Sequence, residues 1–400
     1  MNKNLTLQRA RNVQLQIDSS NQVIATKGDR KVSCGTRAFA ILDAFSEAKT
    51  VAEVLQELPV SGAQDWANLS VTIRSLVAAQ VLEPIDADAP TLAQKEGGFD
   101  TAGIHIDMLN DTARTRAYIA AIKAVVKPGD VVLDLGTGTG ILATAAAKAG
   151  AKHVYAIEAS AIADVAAQVF IDNNVADRVT LVRGWSMEVG LPERVDVIVS
   201  ELIGDNALGE RVREISSDAV TRFAKPHARL IPSALTINAT ALTVNETIRS
   251  QHIGADFQVD YWDSLYDIDL SSFVKASRAQ PALRYTLPQT ACEWPTMAPP
   301  CVMAEVDLAV PSLQTALDRR ARVPAHNDCK VDGILLTFDL TLSDSIHLST
   351  DLPTVASDNH WFSPLWIQPH VLEVTAGTTV EFHYTRNDSQ ERCSAKVVSA

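Results

Sequence analysis

The segment from Val131 to Ser160, VVLDLGTGTGILATAAAKAGAKHVYAIEAS, constrains the fold of this chain more than any other stretch. Its first apolar run predicts a buried strand, the glycines predict a tight turn, and the alanine-rich run predicts a helix. A second apolar run follows and ends at an acid, Glu158. This order of strand, glycine turn, helix and strand is typical of an α/β protein with a doubly wound parallel sheet.

The glycine turn is spaced for close approach of a ligand. Gly136, Gly138 and Gly140 form G-x-G-x-G, not the G-x-G-x-x-G of a dinucleotide site. Glycines let the backbone approach a bound group, and the N-terminus of the next helix attracts it. Glu158 stands where an acid accepts hydrogen bonds from both ribose hydroxyls, and Asp134 is typical of the methyltransferase variant. The motif predicts S-adenosylmethionine as the cofactor, with NAD or a structural turn as alternatives.

Alternating strand and helix patterns extend this sheet over residues 99–232 and predict a Rossmann-like domain of the class I methyltransferase type. The candidate strands are VVLDLG, HVYAIE, VTLVRG, VDVIVSE and ARLIPS. Residues 233–400 show alternating strands separated by turns, which predicts an antiparallel, β-barrel-like domain. Its candidate strands are LTINATALTV, GILLTFDLTL, LWIQPHVLEV and TTVEFHYT. A helix-prone insert interrupts this domain at about residues 245–275.

Residues 1–85 predict a separate small α+β domain with a winged-helix-like order. VQLQID, QVIAT and KVSCG predict strands, whereas TRAFAILDAFSEA, TVAEVLQEL and AQDWANLSVTIRSLVAAQVL predict helices. Thr36 and Thr50 are candidate N-caps, and Thr50 forms a capping box with Glu53. Residues 86–98, rich in Pro, Ala, Asp and Gly, predict a linker.

Composition limits the classes of function. The chain is 46% hydrophobic and 21% charged, which is typical of a soluble globular protein, and it has neither a transmembrane run nor a signal-peptide core. A net charge of −13 argues against nonspecific binding to nucleic acid or anionic membranes and favours a cationic substrate. The five cysteines are scattered without C-x-x-C, so no disulfide framework or metal site is indicated. A cytoplasmic location is therefore expected.

Four further segments resemble the protein arginine methyltransferases, in the order of that family. IHIDMLNDTARTRAYIAAI is similar to the family's segment before the first strand, and VSELIGDNALGE to its double-glutamate loop. DNHWFSPLWIQP is similar to the Thr-His-Trp loop, and YWDSLYDIDLSSF to the end of the dimerisation arm. The resemblance covers residues 99–400 and implies arginine methylation, a helical dimerisation arm in the insert and a homodimer.

The resemblance implies a catalytic group. Glu201 and Glu210 would hold a guanidinium bidentately and draw its positive charge toward two nitrogens, which leaves electron density on the third. The alternative is that they are a solvated strand end and a helix start. His360 would lie over the substrate site and pair with Asp111 to orient the imidazole and carry a proton away. Trp361 would pack beside the site, unless it is a core tryptophan.

The resemblance also implies cofactor contacts. Arg114 would bind the cofactor's carboxylate, and Met108 would lie near the sulfonium. Without the motif, these two would be a helix-surface arginine and a core methionine. Glu188 lies near the adenine position, and Met187 stands where the family has its adenine-contacting acid.

Several departures from the family concern the acceptor side. In KEGGFDTAGIH, Phe99 occupies one tyrosine position of the family and the second tyrosine is missing. The loop LIGD replaces WMGY, which removes aromatic walls and adds Asp205, and Asn359 replaces a threonine. Phe99, Asn359 and Trp361 are the expected substrate contacts. Two alternatives stay open: methylation of a carboxylate, hydroxyl or other nitrogen, and a non-catalytic binding or regulatory protein.

The N-terminal domain resembles the PqqD-like precursor-recognition elements of enzymes that modify ribosomally made peptides. The resemblance implies that a leader peptide adds a strand near residues 29–34 through main-chain hydrogen bonds. A DNA-binding winged helix is disfavoured because acidic and basic residues are nearly balanced in this region. A dimerisation or folding module is the remaining alternative.

Overall fold

The computed structural model divides the chain into two compact units, Met1–Gly98 and Phe99–Ala400. It describes residues 6–10, 13–18, 22–27, 30–34, 37–58, 69, 72–73, 75–77, 79–84, 102–312, 316–387 and 390–398. The predicted linker and the predicted roles of Thr36 and Phe99 lie outside the described residues.

The first unit contains two three-stranded antiparallel sheets. Their strands are β1 (Thr6–Arg9), β2 (Gln14–Ile17), β3 (Val23–Lys27), β4 (Arg30–Cys34), β5 (Lys49–Thr50) and β6 (Leu82–Pro84). The order β2–β3–β4 confirms the three predicted strands. The sheet β5–β1–β6 was not predicted, because strands of two to four residues are too short to show alternation.

Helices α1 (Ala38–Ala44) and α2 (Val51–Glu57) of the first unit match two predicted helices. The capping box is confirmed: the Thr50 hydroxyl accepts from the Glu53 N–H at 3.2 Å, and the Glu53 carboxylate accepts from the Thr50 N–H at 2.7 Å. Residues 69, 72–73 and 75–77 are helical, as predicted. The predicted third helix extended to Leu82, which instead pairs with β1.

The second unit begins with a five-stranded parallel sheet in the order β11–β10–β7–β8–β9. The strands are β7 (Val131–Leu135), β8 (His153–Glu158), β9 (Val179–Arg183), β10 (Val195–Ser200) and β11 (Ala224–Ile231). The helices are α3 (Ala102–Asn110), α4 (Thr112–Val125), α5 (Ile141–Lys148), α6 (Ala163–Asp172) and α7 (Val212–Phe223). Strand order reverses between β7 and β10, and ligands of such sheets bind beyond the carboxyl ends of the strands at that point.

The remainder of this unit is antiparallel, as predicted. Its strands are β12 (Ala234–Leu242), β13 (Ala282–Thr286), β14 (Cys301–Asp307), β15 (Leu317–Pro324), β16 (Cys329–Ser343), β17 (Ile346–Ser349), β18 (Ser363–Val374), β19 (Thr379–Arg386) and β20 (Glu391–Val397). One sheet has the order β13–β18–β16–β12–β14 with β17 paired to β16, and the other is β15–β19–β20. The predicted strands correspond to β12, β16, β18 and β19.

The predicted helix-prone insert forms α8 (Glu246–Ser250), α9 (Asp256–Tyr266) and α10 (Ser271–Ser277), and a 3₁₀ turn follows at Pro288–Ala291. Large apolar side chains remain exposed on this arm: Phe257 is 63% exposed, Tyr261 58% and Phe273 60%. Among the described residues, no helix has both the length and the apolar character needed to cross a membrane.

Candidate active site

A cavity of about 760 Å³ lies at the carboxyl ends of β7 and β10, where the strand order reverses. Its volume falls in the range of small-molecule sites. Its wall includes these predicted residues: Met108, Arg114, Gly136, Gly138, Glu158, Glu201, Glu210, His360 and Trp361. Residues from α3, α4, two strand–helix loops and the segment before β18 therefore converge on one site.

The glycine turn after β7 is held by partners close to it in sequence. Gly138 has φ +53°, and its N–H donates to Oε2 of Glu158 at 2.9 Å. A Cβ at this position would lie 3.2 Å from Cε1 of His105, so a glycine gives the turn its close packing. Below the turn, the Thr137 hydroxyl donates to Asp134 at 2.6 Å.

Two predicted cofactor residues shape the turn without lining the cavity. Gly140 precedes α5 with φ +81°, and a Cβ there would lie 2.6 Å from the Phe170 ring. Asp134 is 1% exposed, and its Oδ1 has no hydrogen-bond partner among the described residues. Burial raises the pKa of the Asp134 carboxyl to about 7.

The structure does not bring Met187 and Glu188 to the cavity wall. Trp185 and Ser186 line it instead. The Trp185 carbonyl accepts from the Glu188 N–H at 2.9 Å, which closes a turn whose later side chains, Met187 and Glu188, are exposed. Trp185 lines the cavity although its residue surface is 67% exposed. Sequence reasoning missed Trp185; the signal for it was an aromatic residue directly after Gly184, the glycine that follows β9.

Arg114 and Glu201 form an ion pair on the cavity wall. Arg114 also donates through Nη2 to the Met108 carbonyl at 2.8 Å, while its buried Nε has no partner among the described residues. The buried Ser160 hydroxyl, which also lines the cavity, has no partner in the described part of the chain. Buried polar atoms normally have partners, so these two free groups fit a polar ligand at this end of the cavity.

Glu210 begins the turn into α7 with φ +53° and faces the same cavity. A Cβ on Gly204 would lie 2.6 Å from its Oε1, so the glycine leaves room for this carboxylate. Burial by surrounding protein, followed by the charges of Glu201 and Asp205, raises the pKa of Glu210 to about 7. Asp205 is held by the Phe362 N–H, which donates to Oδ1 at 2.8 Å.

The predicted Asp–His pair is present in the structure. Nδ1 of His360 lies 2.8 Å from Oδ2 of Asp111, a buried residue that also caps α4 by accepting from the Arg114 N–H at 2.9 Å. A carboxylate is an acceptor, so Nδ1 of His360 carries the proton in this contact. Trp361 is 2% exposed, and its Nε1 donates to the Ile203 carbonyl at 2.7 Å.

Asn359 is not part of the cavity wall. It is 7% exposed, and its Nδ2 donates to the Trp361 carbonyl at 2.8 Å. Nε2 of Gln289 donates to the Asn359 carbonyl at 2.7 Å. These contacts organise the loop that carries His360, which is a local role different from the expected substrate contact.

The parallel sheet, its glycine turn and the acid at the end of β8 define a nucleotide-binding α/β domain of the methyltransferase type, joined to an antiparallel β domain. The model for ribosomal protein L11 methyltransferase matches residues 111–258, and that for the arginine methyltransferase oligomerization subdomain matches residues 246–399. The chain belongs to the protein arginine N-methyltransferase family, because it is 32% identical over 295 residues to protein arginine N-methyltransferase 1 of Schizosaccharomyces pombe, covering 72% of this chain and 83% of that protein.

A second relative agrees with this assignment, and a solved structure has the same fold. Protein arginine N-methyltransferase 1 of Chlamydomonas reinhardtii is 37% identical over 182 residues, or 45% of this chain, and the match spans about half of that relative's length, 51%. The Trypanosoma brucei PRMT1 enzyme–prozyme heterotetrameric complex with AdoHcy has a similar fold, with a TM-score of 0.62, 22% identity and coverage of 75% of this chain and 99% of that chain.

Proposed function

We propose that this chain is an S-adenosylmethionine-dependent methyltransferase that methylates an arginine side chain of a peptide or protein. The observation that carries the proposal is one cavity that is lined both by two carboxylates, Glu201 and Glu210, and by a nucleotide-type glycine turn. Family membership supports the same reaction. When bound, the cofactor supplies a methyl group on a sulfonium, which is an electrophile for in-line displacement.

The cofactor end of the cavity fits this ligand. Glu158 lies beside the glycine turn, where its carboxylate can accept hydrogen bonds from ribose hydroxyls. Arg114 would bind the amino-acid carboxylate through charge-assisted hydrogen bonds, and Nε and the Ser160 hydroxyl are the donors left free there. Trp185 offers an apolar surface where the adenine-contacting acid was expected.

The acceptor end suits a cation. Glu201 and Glu210 would each accept hydrogen bonds from a guanidinium, which fixes its orientation and concentrates electron density on the nitrogen that attacks the methyl group. Glu201 divides its interactions between Arg114 and the acceptor, so the cofactor and acceptor ends share one carboxylate. Nε2 of His360, oriented by Asp111, would accept the proton that the methylated nitrogen releases.

The proposed reaction is tested by locating the transferred group. Purified protein would be incubated with methyl-deuterated cofactor and peptides from its native source, and tandem mass spectrometry would find the labelled atom. Label on a guanidinium nitrogen supports the proposal. Label on another atom retains methyl transfer and overturns the arginine assignment, and failure to bind the cofactor in calorimetry favours a non-catalytic protein.

A second candidate is methylation of a different acceptor group. Asp205 favours it, because this third carboxylate lines the cavity where the family has an aromatic residue. An additional acid changes the charge and shape presented to the acceptor. The same label-mapping experiment separates the two candidates.

We also propose that the N-terminal unit is a winged-helix-like domain that recognises the leader of a ribosomally made precursor peptide. Strand β4 supports it, because it pairs only with β3 within the described sheet β2–β3–β4. A strand edge of this kind can accept a peptide by β-augmentation. Calorimetry with leader peptides from neighbouring genes tests this, with scrambled leaders as controls; equal affinity for both would end the proposal.

We also propose a homodimer formed through the arm α8–α10. Phe257 and Tyr261 lie four residues apart on one face of α9, and both are exposed. Exposed aromatic patches mark interaction surfaces. Light scattering at micromolar concentration should give twice the monomer mass for the parent and the monomer mass for the Phe257→Ser/Tyr261→Ser variant. A monomeric parent contradicts the proposal.

A cytoplasmic location completes the proposal. All five cysteines are free, as expected in a reducing compartment. Cell fractionation with an antibody against the chain tests it, and recovery from an oxidising compartment would contradict it.

A further inference from the structure

The loop from β10 to α7 has an unfavourable backbone just where it presents Glu210. Glu210 and Arg211 have φ values of +53° and +60°, and neither is a glycine. Side chains disfavour this left-handed region, so two such residues in succession persist only when neighbouring structure holds them. Gly209 precedes them, and a Cβ there would lie 2.8 Å from the Asn206 carbonyl oxygen.

The β19–β20 hairpin holds this loop from outside. Arg386, at the end of β19, donates through Nη1 to Oδ1 of Asn206 at 2.7 Å and through Nη2 to the Leu208 carbonyl. Glu391, at the start of β20, accepts from Nδ2 of Asn206 at 2.9 Å. The hairpin thus satisfies both ends of the Asn206 amide and one backbone carbonyl of the loop.

The hairpin side chains are themselves fixed and largely buried. Arg386 and Glu391 are 17% and 9% exposed and pair at 3.4 Å. The Tyr384 hydroxyl donates to Oε1 of Glu391 at 2.8 Å. Charge-assisted hydrogen bonds in a partly dry site are stronger and more directional than those on an open surface. Arg386, Glu391 and Tyr384 therefore form a fixed hydrogen-bonded network and not a transient surface contact.

We infer that Arg386 and Glu391 are positioning residues for the acceptor carboxylate of Glu210. They hold Asn206 and Leu208, the loop then turns through Gly209, and the left-handed residues that follow direct the Glu210 carboxylate over Gly204. This inference rests on the proposed acceptor role of Glu210. It makes the C-terminal hairpin part of the acceptor site although neither of its two residues lines the cavity.

The test compares Arg386→Gln with Arg392→Gln in the full chain. Arg392 lies on the same hairpin, is exposed, and contacts Gln280 at 2.7 Å, so it is a matched control. We expect Arg386→Gln to lower kcat/KM for the acceptor by about 10- to 100-fold, with cofactor affinity within about threefold of the parent. Arg386→Lys should recover part of the loss, because an amine reaches one acceptor at a time. Arg392→Gln should leave both quantities unchanged.

A double-variant cycle separates positioning from general stability. If Arg386 acts through Glu210, adding Arg386→Gln to Glu210→Gln should lower kcat/KM by less than about threefold. Equal losses in both backgrounds would overturn the inference, as would a parallel loss of cofactor affinity.

Amide hydrogen exchange gives a readout that needs no methyl transfer. Arg386→Gln should speed exchange of the Leu208, Gly209 and Val212 amides by about tenfold and leave the glycine turn after β7 unchanged. Unchanged exchange at the loop contradicts the inference. If exchange is faster but the chain transfers no methyl group, the result supports the positioning of the loop and contradicts only the proposed function.

Discussion

Two strand–helix loops of the same parallel sheet form the two ends of the cavity, and they are held in different ways. The turn after β7 is fixed by partners 3 residues apart, Thr137 and Asp134, and 20 residues apart, Gly138 and Glu158. The loop after β10 is fixed by partners 157 to 180 residues away, in Phe362, Trp361 and Arg386. One end of the site is therefore a local structure, and the other exists only when the β domain is packed against the sheet.

The proposed cofactor end and the proposed acceptor end should therefore be sensitive to different substitutions. The glycine turn of the proposed cofactor end needs a few short-range residues and should tolerate change in the β domain, whereas Arg114 at the same end also pairs with Glu201 of the loop after β10. The acceptor end depends on several distant hydrogen bonds, so changes far from the cavity should alter acceptor use without altering cofactor affinity.

The largest effects should come from one acid at each end. Glu201→Gln removes a charge from the proposed guanidinium clamp, so we expect methyl transfer to fall on the order of 10²- to 10³-fold. Its cofactor affinity should change less, by under about tenfold, because Arg114 keeps its charge. Steady-state kinetics and calorimetry measure the two quantities.

Glu158→Gln should do the reverse: it should weaken cofactor binding by about 10- to 100-fold and leave most of the rate at saturating cofactor. If both variants change both quantities equally, the two ends of the cavity are not separable.

The next effect is a pH dependence confined to the acceptor end. The pKa of Glu210 is raised to about 7 by burial and by Glu201 and Asp205, so its carboxylate form predominates only above that pH. We expect kcat/KM for the acceptor to fall about tenfold per pH unit below 7 and to level off above it. Glu210→Gln should lose this inflection.

Asp134 provides the control for the pH profile, because burial also raises its pKa to about 7 at the cofactor end. Cofactor affinity should be measured over the same range in the parent and in Asp134→Asn. If the inflection in kcat/KM for the acceptor disappears in Asp134→Asn and persists in Glu210→Gln, the titrating group is Asp134. That result would contradict the assignment of the inflection to Glu210.

A smaller effect should follow from loosening the acceptor loop. Trp361→Phe retains an aromatic ring but leaves the buried Ile203 carbonyl without its donor. We expect acceptor kcat/KM to fall about tenfold, which corresponds to roughly 1.4 kcal/mol, with unchanged cofactor affinity. Weaker cofactor binding of the same size would show that this tryptophan supports both ends.

The smallest effect should appear at the cofactor end. Trp185→Ala removes the exposed ring from the cavity wall and should weaken cofactor binding by about three- to tenfold, with acceptor KM unchanged. Met187→Ala, two residues away and outside the wall, is the matched control and should have no effect. Titration calorimetry compares the two. A stronger loss in Met187→Ala would restore the expectation drawn from the family.

The sequence by itself determined the parallel sheet, its glycine turn and the capping box of Thr50 and Glu53. These features depend on apolar periodicity, on glycine spacing and on side chains within a few residues of each other, all of which are visible in a linear text. The motifs also predicted that Glu201 and Glu210 lie in one site and that Asp111 pairs with His360, although only by resemblance.

Only the tertiary structure decided which side chains reach the cavity. Trp185 lines the cavity and Met187 does not, because a turn between them directs their side chains differently. The structure also showed that Asn359 organises its own loop, and that the short strands β1, β5 and β6 pair at all. Arg386 holds the Glu210 loop by a hydrogen bond to Asn206, which lies 180 residues away in the sequence. No local propensity encodes such a contact, because it forms only when two separately specified elements pack together.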